Sequence, residues 1–194
     1  MNTKIAYIII SFLLLSCGEK LPVVDKLGDA KHTLVNQNGE KIVFPDFLEG
    51  KTVVMNFIFT NCPDICPLST NNMRLIQERV KKEKLKNIEF VSLSFDPESD
   101  TPEALSKFAA IRNLDLSNWT FLTGEKSATD SIINKAGVMA VPSDSTTLKS
   151  GKKIIYFIHT DRIQLIDSDK RIRKNYKGST INVDEIVDDL KSLQ

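Results

Sequence analysis

The sequence is poor in the residues that hold metals and form cross-links, with three cysteines and two histidines in 194 residues. Charge of one sign is also lacking. The 26 Lys and Arg stand against 25 Asp and Glu, so no overall basic field marks the chain for nucleic acid or for an anionic membrane surface. The apolar run at the amino terminus, Ile5 to Leu15, is too short for a comfortable membrane span. No internal repeat or low-complexity tract divides the chain, and its length suits one well-buried domain with extensions. With so few cysteines, each one has to be accounted for.

The first is at the amino terminus. Met1-Asn2-Thr3-Lys4, the apolar run and Ser16-Cys17-Gly18 have the charged, apolar and small-residue regions of an export signal. Leu14-Leu15-Ser16-Cys17 resembles the bacterial lipobox, which implies that Cys17 becomes the lipidated first residue of the mature protein. An ordinary cleavage site would instead leave an odd thiol outside the cytosol. The expected organisation is a lipoprotein signal peptide over 1–16, a lipidated tether over 17–30 and a folded domain over 31–194, held at a membrane of the bacterial cell envelope. Loss of residues 1–16 removes Lys4 and leaves the chain formally neutral. Gly18 to Ala30 mixes Gly, Pro and charge without periodicity, which predicts a flexible tether with a reach on the order of 20 Å.

Cys62 and Cys66 remain. Before them, Val53 to Phe59 is a continuous apolar run rich in β-branched and aromatic residues, which reads as a buried central strand ending at Thr60-Asn61. Pro63 and Pro67 sit where a helix can begin, because its first N–H groups have no partner to lose. The spacing predicts both cysteines on a strand-to-helix junction, with Cβ atoms roughly 5–6 Å apart, able to bind one ion or to join in a disulfide. A helix amino terminus favours thiolate over thiol. Thiolates select Cu(I), Zn(II) or iron–sulfur clusters over hard cations. The plainer alternative, two small buried residues beneath a helix, does not account for a cysteine pair bracketed by prolines.

Elsewhere the pattern alternates strands with helices. Asn38-Gly39 predicts a leading hairpin between Thr33-Leu34-Val35 and Lys41 to Phe44. After Pro67, Leu68, Met73, Ile76 and Val80 recur at helical spacing, with Arg74, Gln77, Glu78, Lys81 and Lys82 on other faces. Ile88 to Phe95 is a second buried strand. Thr101 can cap a helix with Pro102 at its first position, turning Ala104, Leu105, Phe108 and Ile111 inward. A short strand over Trp119 to Leu122, a helix over Glu125 to Ala136 and a polar exposed loop over Ser143 to Lys153 follow. Ile154 to Ile158, Ile163 to Asp167 and Arg171 to Tyr176 read as strands, and Asn182 to Leu193 as a closing amphipathic helix. The expected fold class is α/β, a mixed central sheet flanked by helices with an amino-terminal β-hairpin. A motif at a strand's carboxyl end is where such folds bind ligands.

A metal held by two thiolates usually needs a further ligand. His32 precedes the hairpin and reads as a surface or edge-strand residue. His159 lies between an apolar stretch and a strand, where by itself a histidine reads as structural.

The chain from roughly Ala30 to Leu193 resembles the Sco/SenC family of thioredoxin-like copper-binding proteins, which help assemble the copper site of cytochrome c oxidase. The resemblance is carried by Asn56 to Pro67 with Met73, by Leu93 to Glu103, by Leu122-Thr123-Gly124 and by His159-Thr160. It implies copper, Cu(I) or Cu(II), on Cys62, Cys66 and His159, and delivery to the CuA-bearing subunit of cytochrome c oxidase, with an upstream copper donor or thiol reductant as a further partner. Ile158 stands where many members have Asp. Asp96 and Asp100 read as solvated turn carboxylates, and Met73 as core. The resemblance implies a metallochaperone rather than an enzyme; the alternatives are a thiol–disulfide oxidoreductase using Cys62 and Cys66, and a structural Zn(II) site that would also recruit His32.

Overall fold

The computed structural model describes residues 21–28, 30–149, 151 and 153–194. The export signal, Cys17 and the first part of the tether lie outside them. The described chain opens with β1 (Asp25–Lys26), the hairpin β2 (His32–Asn36) and β3 (Lys41–Phe44), then β4 (Thr52–Ile58), α1 (Ile65–Lys82), β5 (Ile88–Ser94) and α2 (Pro102–Ile111). There follow β6 (Trp119–Gly124), α3 (Lys126–Lys135), β7 (Ala140–Thr147), β8 (Lys153–His159), β9 (Ile163–Ile166), β10 (Arg171–Tyr176) and α4 (Val183–Ser192).

Eight strands form one mixed sheet in the order β1-β10-β9-β4-β5-β6-β2-β3. β4, β5 and β6 run parallel and the other pairs antiparallel. All seven residues of β4 are buried, as its unbroken apolar run requires of a strand covered on both faces. The mixed α/β sheet flanked by helices is the expected class, and its thioredoxin-like arrangement puts the carboxyl ends of β4 and β5 side by side. One chain of polar groups inside the core is paired: the Trp119 indole N–H donates to Ser92 Oγ, Ser92 O–H to Asn56 Oδ1, and Asn56 Nδ2 to Ser69 Oγ on α1.

Local signals held where they were self-contained. Gly39 takes φ of 82° in the β2–β3 turn, and Thr101 Oγ1 accepts from Ala104 N–H at the start of α2. Four expectations did not hold. Within the expected tether, Asp25 and Lys26 pair with Ile172 and Arg171, because the open edge of β10 offers backbone partners and Leu27 buries beside it. Leu68 and Ile111 are exposed; α1 turns Cys66, Ser69, Thr70, Met73, Ile76, Gln77 and Val80 inward instead. Gln77 can be buried because its amide donates to Asp115 O and Asn118 Oδ1. The polar stretch over Ser143 to Lys153 is largely strand, since β7 pairs with β8 from Ala140↔His159 to Thr147↔Lys153. It lacks apolar alternation because β7 is exposed along its length past Ala140. His32 begins β2 opposite Phe44 rather than preceding the hairpin.

Candidate metal centre

Just past the end of β4 the chain leaves the sheet through Phe59 and Thr60 and reaches Cys62 before any helix has formed. The helix begins at Ile65, so Cys66 is its second residue while Cys62 and Pro63 precede it. This corrects the expectation of two cysteines stacked on one helical face. The free first-turn N–H of Cys66 points at Cys62 Sγ, 3.3 Å away, which gives an otherwise unpartnered helix donor an acceptor. Cys62 N–H is turned back onto Phe59 O. Cys66 is buried, Cys62 half-buried, and both are free thiols.

Across the cleft, β8 ends at His159, which is half-buried. Its Nε2 lies 3.9 Å from Cys66 Sγ and its Nδ1 lies 3.2 Å from Thr160 O. Phe59 and Phe95 pack against the ring at centroid distances of 6.0 and 5.0 Å. The donor atoms of Cys62, Cys66 and His159 all lie within 4.8 Å of one another. His32, Asp96 and Asp100 are not in this cluster, so nothing favours a zinc site recruiting His32. Met73 is buried in the core. An apolar-walled cleft of about 330 Å³, lined by Phe59, Pro63, Ile65, Phe157 and Ile158 among others, opens onto Cys62 and His159.

The site is electrostatically lopsided. A hydrogen bond from Cys66, aided by His159 and by the backbone N–H groups of Asp64 and Cys66, outweighs burial and draws Cys62 down to about 4. The same bond, with burial and the nearby charges of Cys62 and Asp100, pushes Cys66 up. Burial opposes a charged His159, yet the hydrogen bonds to Cys62 and Thr160 raise it above its ordinary value. The sulfur facing the cleft is the one drawn toward thiolate, the sulfur behind it is the one held toward thiol, and the imidazole closes the third side.

Asp96 and Asp100 are not the solvated turn residues expected: they are 3% and 0% exposed. Asp100 takes the Thr60 N–H on both carboxylate oxygens at 3.1 Å, the Thr60 hydroxyl at 2.5 Å and the Ser94 hydroxyl at 2.5 Å. It therefore pins the backbone two residues before Cys62 to the end of β5. Burial lifts its carboxyl to about 6 despite these donors. A signal was available in the sequence: Thr60-Asn61 and Asp96 follow directly on the two stretches that read as buried strands, Val53 to Phe59 and Ile88 to Phe95, and parallel neighbours bring such ends together.

Two sulfurs and an imidazole nitrogen suit a soft or borderline ion. Metal–sulfur and metal–nitrogen bonds of about 2.3 and 2.0 Å place donors roughly 3.5–4 Å apart around one ion, and the separations here need only small movements to reach that. A thioredoxin-like domain with a Cys-x-x-x-Cys strand-to-helix junction closed by a distal histidine is thus the class that fold and site define. The SCO1/SenC family model matches residues 24–194, and the chain belongs to that family. It is 34% identical over 161 residues to a SCO1 protein homolog of Bacillus subtilis, covering 82% of this chain and 79% of the relative. The crystal structure of a SCO1/SenC family lipoprotein from Bacillus anthracis is 32% identical, with a TM-score of 0.72 over 88% of this chain and 96% of that one. Copper-bound ScoI of Bradyrhizobium japonicum is 25% identical, with a TM-score of 0.70 over 85% and 98%.

Proposed function

We propose that this protein binds copper on Cys62, Cys66 and His159 and carries it to the CuA-bearing subunit of cytochrome c oxidase in the cell envelope. The observation that carries the reading is the convergence of those three donors within 4.8 Å, in a family with a copper-bound member of the same fold. Two thiolates and an imidazole suit Cu(I) in a low-coordinate site and can also hold Cu(II). The cleft beside Cys62 and His159 gives an incoming ligand of the acceptor a way to the cargo, and exchange of ligands one at a time moves the ion without releasing it to water. The test is metal analysis of the reduced soluble domain with Cu(I), Cu(II) and Zn(II) in competition. Preferential retention of zinc, or of no metal, sinks the reading.

A second reading rests on the asymmetry of the thiols. Half-buried Cys62, held as thiolate, can attack a disulfide of the acceptor, and buried Cys66 can resolve the mixed disulfide, which leaves the acceptor's cysteines reduced and Cys62 and Cys66 joined. Such a step prepares the acceptor to take copper rather than competing with delivery. Both uses consume the same thiolates, so oxidised protein is expected not to load copper.

The membrane attachment follows from the lipobox-like segment at Cys17, and the Bacillus anthracis relative is itself a lipoprotein. No helix among the described residues is long and apolar enough to cross a membrane. The substitution Cys17→Ser is expected to shift the processed protein from the membrane fraction to the soluble one; retention on the membrane after signal removal contradicts the anchor.

A further inference from the structure

His159 ends a half-buried strand paired only with the exposed β7, yet its ring has to present one particular nitrogen to the two sulfurs. Its Nδ1 lies 3.2 Å from the Thr160 carbonyl oxygen. A carbonyl only accepts, so this bond needs a proton on Nδ1, and in the neutral ring it leaves the Nε2 lone pair facing Cys66. That carbonyl belongs to the peptide joining Thr160 to Asp161. Whatever seats Asp161 therefore seats the acceptor that sets the ring.

Asp161 is held from a distant part of the chain. Its Oδ2 accepts from the Ser179 N–H at 3.0 Å and the Ser179 hydroxyl at 2.6 Å. Its Oδ1 is buried without a partner, an uncompensated cost that makes the carboxylate a poor device for stability alone. Before Ser179, Gly178 is buried, and its carbonyl accepts from Asn72 Nδ2 at 2.7 Å. A Cβ on Gly178 would stand 2.6 Å from Asp161 Oδ1 and 2.9 Å from Ser69 Oγ. Only glycine lets this loop pass between α1 and Asp161. Ser69 and Asn72 lie three and six residues beyond Cys66 on the same helix.

We propose that Asp161, seated by Ser179 and by the close passage of Gly178 against α1, is a positioning residue that sets the tautomer and reach of His159. A brace outside the site then ties the histidine to the helix that carries Cys66. Outer partners of metal-binding histidines fix ring orientation in this way. The inference rests on the copper reading for its consequence but not for its geometry.

The experiment therefore has one arm without metal. In reduced, metal-free protein, nitrogen NMR of the imidazoles, with His32→Gln to assign them, is expected to show His159 protonated on Nδ1. Asp161→Ala should mix the tautomers and lower Cu(II) affinity about tenfold or more, whereas Asp161→Asn, which keeps an acceptor for Ser179, should stay close to wild type. Gly178→Ala should shift the tautomer in the same direction, and adding Asp161→Ala to it should recover thermal stability but not the tautomer. The Cys62–Cys66 pair should still oxidise and reduce reversibly in every variant. If Asp161→Ala folds and keeps the wild-type tautomer and affinity, the proposal is overturned. If it does not fold, Ser179→Ala carries the same test, and an unchanged tautomer there overturns it. Wild-type protein that binds no copper would refute the proposed function and leave the tautomer arm to judge the brace.

Discussion

The two halves of the candidate site are built in opposite ways. Cys62 and Cys66 follow a strand with every residue buried and sit at the head of an 18-residue helix, with Asp100 locking the approach to Cys62. His159 ends a two-stranded arm whose β7 is exposed along nearly its whole length. That arm meets the body mainly at its base, where Phe157 packs edge-on against Phe59 and Phe95 at 5.2 and 5.3 Å and Thr160 N–H donates to Met139 O. The dithiol is a fixture of the core, whereas the imidazole is delivered by a peripheral element. Thiol chemistry and metal retention should therefore be separable by where the protein is perturbed.

The strongest break in that comparison is His159→Ala, which removes the arm's contribution and leaves the core half intact. Copper(II) affinity is expected to fall by about a hundredfold or more, as deletion of a nitrogen donor removes the ligand that Cu(II) favours, while Cys62 and Cys66 still oxidise and reduce reversibly. Titration with each copper state beside a thiol redox titration reads both. Equal loss of both properties would show that the two halves are not independent.

Phe157→Ala should act through the arm's seat rather than its ligand. Loss of the two edge-on contacts is expected to cost on the order of 1–3 kcal/mol of stability and to weaken copper binding less than His159→Ala does, again with Cys62 and Cys66 still cycling reversibly. Urea unfolding and copper competition on one preparation test it. An unchanged affinity would mean that the arm needs no aromatic seat.

Asp100→Asn probes the core half, and its signature is pH. The Asp100 carboxyl rises from 3.8 to about 6 on folding, so the folded state holds a proton more tightly than the unfolded chain. This contribution favours folding below about pH 4, and it is lost as pH rises through 6, by up to about 3 kcal/mol. Cys62, drawn down to about 4, works in the opposite direction over its own range. The difference between Asp100→Asn and wild type isolates the carboxyl: the variant should gain relative stability on going from pH 5 to pH 7.5. A constant difference would mean that Asp100 does not titrate in this window.

The smallest effect is expected at Ile158, which is 63% exposed and stands across from Val141. Ile158→Asp should change stability by less than about 0.5 kcal/mol and leave copper affinity nearly unaltered, because the side chain beside His159 is presented to solvent. A large gain in affinity would show that a carboxylate at this position reaches the site.

The same division explains what could be read in advance. The Thr101-Pro102 cap and the Asn38-Gly39 turn are local and formed where their own few residues dictated, and the Cys62 to Cys66 stretch formed the expected strand-to-helix junction with the helix starting only at Ile65. His159 was legible only through the family resemblance, because nothing near it in sequence says that β8 ends against α1. The burial of Asp100 depends on parallel pairing that brings Thr60 and Ser94 together from 34 positions apart. β7 was missed because a strand exposed on both faces carries no alternation, and β1 because its pairing partner lies near the other end of the chain.

The core also contains an optical consequence. Trp119 is the single tryptophan of the chain, fully enclosed beside Phe90 and Phe121, and its indole is joined through Ser92 and Asn56 to Ser69, three residues beyond Cys66. Its emission therefore reports from a dry environment wired to the thiol-bearing helix. Blue-shifted fluorescence inaccessible to iodide should mark the intact core, and any shift in band position on oxidation or metal loading would read movement of α1 without an added label.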